Sequence, residues 1–252
     1  MAEHVSTTTA EFITTITLNR PPVNAFDIAF LDDILSALKR AGNDPDTRAV
    51  ILKSDVPNIF CAGLDLDLLI DQPQSTVRAF LQRLYIDLYD VQYAMRASVI
   101  AAIDGAARGG GMTLAISCDV IVASDTATFG YPEINLGVPP AIHFMHLPRI
   151  IGRYRAYELL FSGRAFSRDE AVALGLVHPA GGADAAETAT ELAHVFASKP
   201  PEAMRRARAA FMRTNDLDYR RGVAVAVEDF VNAATLPEAQ AQLKAFRAKR
   251  AP

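Results

Sequence analysis

The sequence predicts an α/β fold in which parallel strands alternate with helices, followed by a helical C-terminal module. In the first half, short runs rich in Ile, Val and Thr alternate with longer segments whose apolar residues recur at helical spacing. After Arg153 the pattern is helical almost throughout. Half of the 252 residues are hydrophobic, so a large buried core can form.

The strands and helices of the first half follow from these patterns. Strands are predicted over residues 12–18, 49–53, 99–103 and 120–123. Helices are predicted over residues 28–41 and 76–96, whose apolar residues share one face. Because strands alternate with helices, we expect neighbouring strands to pair in parallel, with the helices outside.

The second half carries clear helix signals. Residues 167–170 read Ser-Arg-Asp-Glu, a capping box that opens a helix ending at Gly175. The Pro200-Pro201 pair interrupts the pattern and starts a helix through Phe211. Pro237 begins a last helix that ends near Lys249. We therefore divide the chain into a core, residues 1–195, and a C-terminal helical module, residues 196–252.

This module has an apolar face and several basic residues. The apolar residues are Val223, Val227, Phe230 and Val231. The basic residues are Arg205, Arg206, Arg208, Lys249 and Arg250. Small helical appendages bury little on their own, so we expect the apolar face to pack on a partner subunit or back on the core. The basic residues fit a solvated face better than a set of phosphate ligands.

Charge, cysteine count and the N-terminal pattern restrict the class of protein. A formal net charge of −4 argues against general affinity for nucleic acid or anionic membranes. Cys61 and Cys118 lie in apolar surroundings and are expected to be buried, reduced thiols. The N-terminal residues do not form a secretory signal, and eighteen apolar residues never run together. We expect a cytoplasmic protein without a membrane span.

A glycine cluster precedes a helix, and a lone carboxylate follows in an apolar loop. Gly109, Gly110 and Gly111 come just before a helix that we expect to begin at Met112 or Thr113. Backbone N–H groups can approach a ligand closely at such glycines, and the positive end of the helix favours a developing oxyanion. A carboxylate opposite, at Glu133, could then move a proton. A tight packing turn explains the glycines equally well.

Other familiar motifs are absent from the sequence. The glycine spacing fits neither Gly-x-Gly-x-x-Gly nor a P-loop, and Gly-x-Ser-x-Gly and metal-ligand spacings of Cys and His are missing. We therefore expect neither a metal nor a separate cofactor. Residues 60–66, Phe-Cys-Ala-Gly-Leu-Asp-Leu, follow a strand and offer a second loop with accessible backbone. N–H groups of Ala62 and Gly110 would together form an oxyanion hole for a thioester carbonyl.

Several segments in register resemble the enoyl-CoA hydratase/isomerase, or crotonase, superfamily. They are residues 60–66, the glycines at 109–111, and residues 129–137, which read Phe-Gly-Tyr-Pro-Glu-Ile-Asn-Leu-Gly. The start of the chain (residues 18–26) and its second half (residues 150–177) also resemble the family. The resemblance therefore extends over nearly the whole chain.

The resemblance implies a crotonase-like ββα spiral core with C-terminal helices that mediate a homotrimer or a hexamer, the dimer of trimers. It implies an acyl-CoA substrate, of which coenzyme A is part, whose thioester oxygen accepts from Ala62 and Gly110. The further substrate contacts that it implies are Leu64, Asp65, Leu66, Phe230 and Lys249. Helix packing is the alternative for Phe230.

One departure from the family pattern bears on the reaction. Hydratases of the family carry two glutamates that activate water, and the first of these positions is Thr113 here, which cannot act as a base near neutral pH. A single glutamate, Glu133, can still carry a proton from C2 to C4 of a 3-enoyl thioester. The pattern resembles the Δ3,Δ2-enoyl-CoA isomerases.

A second departure follows Gly137, where larger residues replace a glycine-rich stretch. Ala141 stands where dienoyl-CoA isomerases have an aspartate, which disfavours that subgroup. His143 and His146 serve either as acid or base beside Glu133 or as packing residues.

Three aspartates near residue 62 offer a further acid. Asp65 is expected to hold loop geometry. Asp67 and Asp71 matter only if their helix faces the pocket.

The sequence is consistent with three hypotheses about the function of the protein. The first is a Δ3,Δ2-enoyl-CoA isomerase that uses Glu133. The second is a hydratase-like enzyme, or a divergent acyl-CoA hydrolase or lyase that uses a histidine. The third is a catalytically silent protein that binds CoA esters.

Overall fold

The computed structural model describes residues 4–182, 184–215 and 219–249. Its strands are β1 (Val5–Ala10), β2 (Ile13–Leu18), β3 (Ala49–Ser54), β4 (Ile59–Cys61), β5 (Ser98–Ile103), β6 (Ala106–Arg108), β7 (Val120–Ala123), β8 (Thr128–Gly130), β9 (Ala165–Ser167) and β10 (His178–Pro179). Its helices are α1 (Ile28–Asn43), α2 (Gln74–Gln82), α3 (Leu88–Ala94), α4 (Gly110–Ser117), α5 (His143–Ile151), α6 (Arg153–Ser162), α7 (Arg168–Ala173), α8 (Ala185–Ala197), α9 (Pro201–Asn215), α10 (Tyr219–Ala234) and α11 (Pro237–Ala248).

The strands form two sheets that are wound from repeated units. The larger sheet has the order β1-β2-β3-β5-β7-β10 and the smaller one the order β4-β6-β8-β9. Three successive turns of chain, β3–β4, β5–β6 and β7–β8, each place one strand in each sheet. These strands pair in parallel, and β1–β2 and β8–β9 are antiparallel edge pairs. The expected ββα spiral is therefore observed.

The predicted strands and helices of the first half are confirmed, with small shifts. The helix predicted over 28–41 is α1, and Asp27 caps it by accepting a hydrogen bond from the Phe30 N–H at 2.7 Å. The helix predicted over 76–96 comprises α2 and α3, joined by a π-helical turn at Arg83–Asp87. Strand β1 was not predicted, because its Ser and Thr residues lie exposed at the sheet edge and give no apolar signal.

The larger sheet is covered by helices on both faces. Helix α8 presents a stripe of alanines, Ala185, Ala189, Ala193 and Ala197, to the sheet residues Ile51, Ile100 and Val122. Small side chains at this spacing let the helix backbone approach the strands closely. The opposite face packs with α1, α2 and α3 into the main core. Half of the predicted capping box is confirmed: the Ser167 hydroxyl accepts from the Glu170 N–H at the start of α7, whereas the Glu170 carboxylate pairs with Arg164.

The C-terminal helices pack on the core of their own chain. Arg208 of α9 is buried and donates to the Asp119 carboxylate at 2.8 Å. In α10, the Gly222 backbone lies against Met145, and Arg78 forms a two-bond ion pair with Glu228. The residues Val223, Val227, Phe230 and Val231 all belong to the main core. The sequence left two alternatives for this apolar face, packing on a partner subunit or on the core of the same chain. The structure shows that it packs on the core.

The basic residues of the module have separate roles. Arg205 and Arg206 pair with Glu202 on their own helix, as a solvated face would. Lys249 is exposed and follows α11, and Arg250 lies outside the described residues. Within the described ranges, no helix is long and apolar enough to cross a membrane.

Candidate active site

Three parallel strands of the smaller sheet bring the predicted site residues to one edge. Strand β4 leads to Ala62, Gly63 and Leu64, β6 leads to the glycine cluster, and β8 leads to Glu133. Because β4, β6 and β8 are parallel, their carboxyl ends meet at the same edge. Segments that are 70 residues apart in sequence thereby form one site.

The glycine cluster forms the first turn of α4. The helix begins at Gly110, two to three residues earlier than predicted, because Gly109 has a positive φ of 50° and ends the extended segment. A Cβ on Gly111 would lie 2.2 Å from the Cys61 carbonyl oxygen, and a Cβ on Gly110 would lie 2.7 Å from the Leu64 side chain. The glycines therefore allow close packing. They also place the start of α4 beside residues 62–65, the loop that follows β4 (the β4 loop).

Replacing Gly111 by Ala is expected to lower the free energy of unfolding by about 1–3 kcal/mol, because the added methyl group meets a backbone carbonyl rather than a flexible side chain. Activity should fall as well, since the start of α4 must move away from β4. Urea unfolding measures the first effect. Gly182→Ala is the matched control, because no atom lies within 4 Å of a Cβ there. Equal stability of the two variants would contradict this account.

The oxyanion-hole prediction needs one correction. The Ala62 N–H donates to the Val23 carbonyl at 3.0 Å, so its one proton is already used. Leu64 forms a parallel bridge with Phe26, whose bonds run through Gly63 and Asp65, so that the Leu64 N–H points away from Phe26. Among the residues that the structure describes, this N–H has no hydrogen-bond acceptor.

Gly110 provides the second free donor at this place. As the first residue of α4, it has no intrahelical acceptor for its N–H. A Cβ on Gly63 would lie 3.2 Å from the Gly110 nitrogen, so the two loops are in contact. The donor pair that the structure supports is Leu64 and Gly110. The local sequence of residues 60–66 does not show whether the N–H of Ala62 or that of Leu64 is free, because this depends on backbone pairing with Phe26, which is a tertiary contact.

Glu133 lies beside Gly109 in an enclosed position. Its side chain is 14 % exposed, and a Cβ on Gly109 would lie 3.1 Å from its Oε1. Its Oε2 is buried and has no hydrogen-bond partner among the described residues. Loss of hydration penalises the ionised form, which raises the pKa of Glu133 from its usual 4.5 to about 7. A carboxyl group with such a pKa can both take and release a proton near neutral pH.

A cluster of polar side chains adjoins Glu133. The Nε2 atom of His143 lies 4.0 Å from Glu133 Oε1 and 3.5 Å from the Thr113 hydroxyl oxygen. The Nδ1 atom of His143 lies 3.3 Å from His146 Nε2. The Tyr131 ring lies 4.5 Å, between centroids, from the His143 ring. The site therefore contains a row of groups, Glu133, His143 and His146, with Thr113 beside its centre.

Burial keeps both histidines neutral. It lowers the pKa of His143 well below its usual range, and the nearby His146 adds to this effect. Burial also lowers the pKa of His146 to about 3. The same loss of hydration raises the pKa of the Tyr131 phenol, with a smaller contribution from Glu133. Glu133 is thus the group of this cluster that changes charge near pH 7.

The three predicted aspartates lie in the β4 loop and in the turn that follows it. Asp65 caps the short turn Leu66–Leu68 and lies 3.7 Å from Arg20, so it holds loop geometry as expected. Asp67 and Asp71 form ion pairs with Arg247 and Lys244 of α11. Both carboxylates therefore bind side chains of α11, and we assign them no role in substrate binding.

Two of the predicted substrate contacts are not brought to this edge. The Phe230 ring is 2 % exposed and lies in the main core of its own chain, so within this protomer it has the packing role. Lys249 is exposed and directly follows the last residue of α11. Leu66 is half-buried in the turn beside the β4 loop. In the described ranges, no group of three or more His, Cys, Asp or Glu side chains has metal-binding geometry.

Comparisons with known proteins agree with this architecture. The family described as enoyl-CoA hydratase/isomerase matches residues 8–252. The human protein named "Enoyl-CoA hydratase domain-containing protein 2, mitochondrial" is 36% identical over 249 residues, 95% of this chain and 84% of that protein. The Bacillus subtilis protein "Putative enoyl-CoA hydratase/isomerase YngF" is 34% identical over 247 residues, 95% of this chain and 93% of that protein. A solved enoyl-CoA hydratase from Bacillus anthracis is 31% identical with a TM-score of 0.79, covering 99% of this chain and 98% of that one.

Proposed function

The chain belongs to the enoyl-CoA hydratase/isomerase family, and from that premise we propose that it is a Δ3,Δ2-enoyl-CoA isomerase. The substrate is a 3-enoyl-CoA thioester, with coenzyme A as part of the substrate and no further cofactor. One observation carries the proposal: Glu133 is buried at the carboxyl-end edge of the smaller sheet, and Thr113 stands where hydratases of the family have a second glutamate.

The two free N–H groups supply the electrostatic part of the reaction. When a proton leaves C2, negative charge develops on the thioester oxygen. We expect the N–H groups of Leu64 and Gly110, the second at the positive end of α4, to donate hydrogen bonds to this oxygen. Each such donor contributes about 10²–10³-fold to turnover in comparable sites.

Glu133 supplies the proton transfer. In its ionised form it takes a proton from C2, which leaves a dienolate bound to the two donors. The protonated carboxyl group then returns the proton to C4, which yields the 2-enoyl thioester and restores the carboxylate. A pKa of about 7 suits both steps, because neither protonation state is strongly favoured.

The test uses the purified protein with a 3-enoyl-CoA and, in a parallel assay, a 2-enoyl-CoA. Conjugation with the thioester changes the ultraviolet absorbance, so both reactions are followed optically. We expect the absorbance to rise with the 3-enoyl ester and to stay constant with the 2-enoyl ester. Loss of absorbance from the 2-enoyl ester would identify a hydratase instead. Tight binding without turnover of either ester would support a silent binding protein.

Hydration is the second candidate, and a specific contact favours it. The Thr113 hydroxyl, His143 and Glu133 lie together, so a water molecule could meet two polar groups in addition to the carboxylate. The names of several relatives also contain "hydratase". A hydrolase or lyase that uses His143 is the remaining enzymatic alternative, and turnover of a saturated or hydroxylated acyl-CoA would identify it.

Replacing Thr113 by Val separates isomerisation from hydration. Valine keeps the shape of the buried side chain, which is 4 % exposed, and removes the hydroxyl group. If Glu133 alone moves the proton, isomerase turnover should change by less than about tenfold, the upper effect of one neutral hydrogen bond. A much larger loss would show that Thr113 takes part in the chemistry. Steady-state kinetics with the 3-enoyl ester provide the measurement.

We also propose a homotrimer or a dimer of trimers in the cytoplasm. Apolar side chains that are exposed on α6, Tyr154, Tyr157 and Phe161, support a contact between subunits. The apolar face of α10 is already covered by the core of its own chain, so we expect the exposed side chains of α6 to make the contact between subunits instead. Light scattering of the purified protein distinguishes monomer, trimer and hexamer. The compartment needs a separate experiment, because the human relative carries "mitochondrial" in its name.

A further inference from the structure

Two buried histidines beside the proposed base have no part in the two-step mechanism above. His143 is fully buried, and its ring packs between Tyr131 and the start of α4. Burying two imidazoles is costly unless their nitrogen atoms are hydrogen-bonded. Distances within the cluster define the surroundings of three of the four nitrogens, whereas His146 Nδ1 is buried and has no hydrogen-bond partner among the described residues.

The two nitrogens of His143 have different surroundings. Around Nε2 lie oxygen atoms, Glu133 Oε1 at 4.0 Å and the Thr113 hydroxyl at 3.5 Å. Around Nδ1 lies another nitrogen, His146 Nε2 at 3.3 Å. A neutral imidazole carries one proton. That proton is best placed on Nε2, where it meets a carboxylate oxygen, and His146 can then donate its own Nε2 proton to Nδ1.

The two oxygens of Glu133 also differ. Oε1 lies against Gly109 and is the oxygen nearest to His143. Oε2 is buried and has no hydrogen-bond partner among the described residues. A carboxylate held at one oxygen by a neutral donor presents the other oxygen in a defined direction.

We propose that His143 and His146 position the general base: His146 fixes the proton of His143 on Nε2, and this proton holds Glu133 Oε1 and so fixes the orientation of the carboxyl group. The proposal rests on the proposed function for its catalytic consequence, but its geometry does not depend on it. The contact of 4.0 Å must shorten by roughly 1 Å in the substrate complex, as catalytic hydrogen bonds commonly do. Both histidines act through Glu133 and are positioning residues.

The arrangement has a measurable consequence for the titration of Glu133. A donor that bonds to the ionised carboxylate favours that form, so its removal should raise the pKa of Glu133. Within the described residues, the titratable groups near Glu133 are His143 and the Tyr131 phenol, with His146 behind His143. Only Glu133 among them titrates near neutral pH, because burial keeps the histidines neutral and the phenol protonated.

The experiment compares the wild-type protein with His143→Phe and His143→Gln. Phenylalanine keeps an aromatic ring beside Tyr131 and removes both nitrogens, whereas the glutamine amide restores an N–H near the position of Nε2. The Glu133 carboxyl carbon is titrated by ¹³C NMR, and the pH profile of kcat/KM for the 3-enoyl ester is recorded in parallel. His194→Gln, at a half-exposed surface histidine, is the matched control.

We expect the midpoint of the Glu133 titration to rise by about one pH unit or more in His143→Phe, the shift that corresponds to loss of a hydrogen bond to a charged group. His143→Gln should bring the midpoint back towards the wild-type value. His146→Phe should shift it in the same direction by less, because His143 is still present. His194→Gln should leave it unchanged.

An unchanged or lower midpoint in His143→Phe would overturn the proposal, and so would a failure of glutamine to restore it. A merely structural role would change the melting temperature or KM without moving the midpoint. The NMR titration does not require turnover. If the midpoints move as expected but the 3-enoyl ester does not react, the positioning role stands and the isomerase assignment fails.

Discussion

Replacing Glu133 by Gln is expected to lower kcat by about 10²- to 10⁴-fold, the usual contribution of a positioned acid–base group. Glutamine has nearly the same shape but cannot accept or return a proton at neutral pH. Binding of the CoA ester should persist, because the Leu64 and Gly110 donors are untouched. Steady-state kinetics and calorimetric titration with a saturated acyl-CoA measure the two quantities separately.

The pH dependence provides a second measurement on the same residue. The ionised carboxylate takes the C2 proton, so kcat/KM of the wild type should rise with pH and level off above about 7. This rise should be missing in Glu133→Gln. Glu158→Gln, at an exposed carboxylate paired with Arg164, is the matched control and should retain both the rate and the profile. Unchanged turnover in Glu133→Gln would eliminate the isomerase mechanism.

Stability should change in the opposite sense to activity. Folding raises the pKa of Glu133 from 4.5 to about 7, so the folded state holds this proton more tightly than the unfolded state. The contribution of Glu133 to stability is therefore greatest below pH 4.5 and falls as the pH rises to about 7, by about 3 kcal/mol in total. Glu133→Gln should stabilise the protein at pH 8 and have little effect near pH 4.5. Thermal unfolding at the two pH values tests this expectation.

The largest expected effect on stability lies at Arg208. Its guanidinium group is enclosed and donates to the Asp119 carboxylate at 2.8 Å and to the carbonyls of Met95 and Gln92 at 2.7 and 2.8 Å. Replacement by Met leaves the Asp119 carboxylate and the carbonyls of Gln92 and Met95, at the end of α3, without this partner. The free energy of unfolding should fall by about 3–5 kcal/mol, because two buried carbonyls lose hydrogen bonds from a charged group, worth about 1.5–3 kcal/mol each, whereas the Asp119 side chain is 20% exposed and can be hydrated.

Arg206→Met on the same helix is the control for this variant. Arg206 is 75% exposed, and its pair with Glu202 is a surface pair, so the change should stay within about 0.5 kcal/mol. Arg208→Lys should lie between the two, because lysine keeps the charge but cannot form all three bonds of the planar group. Urea unfolding with an unchanged m-value provides the comparison. A loss of less than about 1 kcal/mol in Arg208→Met would show that α9 does not depend on this contact.

Arg208 also illustrates where sequence reasoning stops. Among the basic residues of the C-terminal helices, nothing local separates Arg208 from Arg205 and Arg206. The distinction arises because the 92–95 segment and Asp119 come to the same place after folding. The same holds for the apolar face of α10, for which the sequence left a partner and the core as alternatives.

The oxyanion donors show a similar division. The glycine cluster and the β4 loop could be predicted to supply backbone donors, because glycine permits close approach and a helix begins nearby. Which N–H of the β4 loop is free depends on the hydrogen bonds that Ala62 and Asp65 donate to the carbonyls of Val23 and Phe26, about 40 residues away. Such a pairing leaves no periodic signal in the loop itself.

The sequence by itself determined the α/β class, the main strands and helices, the resemblance to the family, and Glu133 as the leading candidate base. These features depend on local periodicity, caps, turn residues and motif spacing, which can be read along the chain. The tertiary structure decided that Leu64 rather than Ala62 offers a free N–H, that Phe230 packs in the core, and that His143 and His146 stand in a row with Glu133. Each of these depends on contacts between segments distant in sequence, because burial and hydrogen-bond partners are set only when the strands and helices meet.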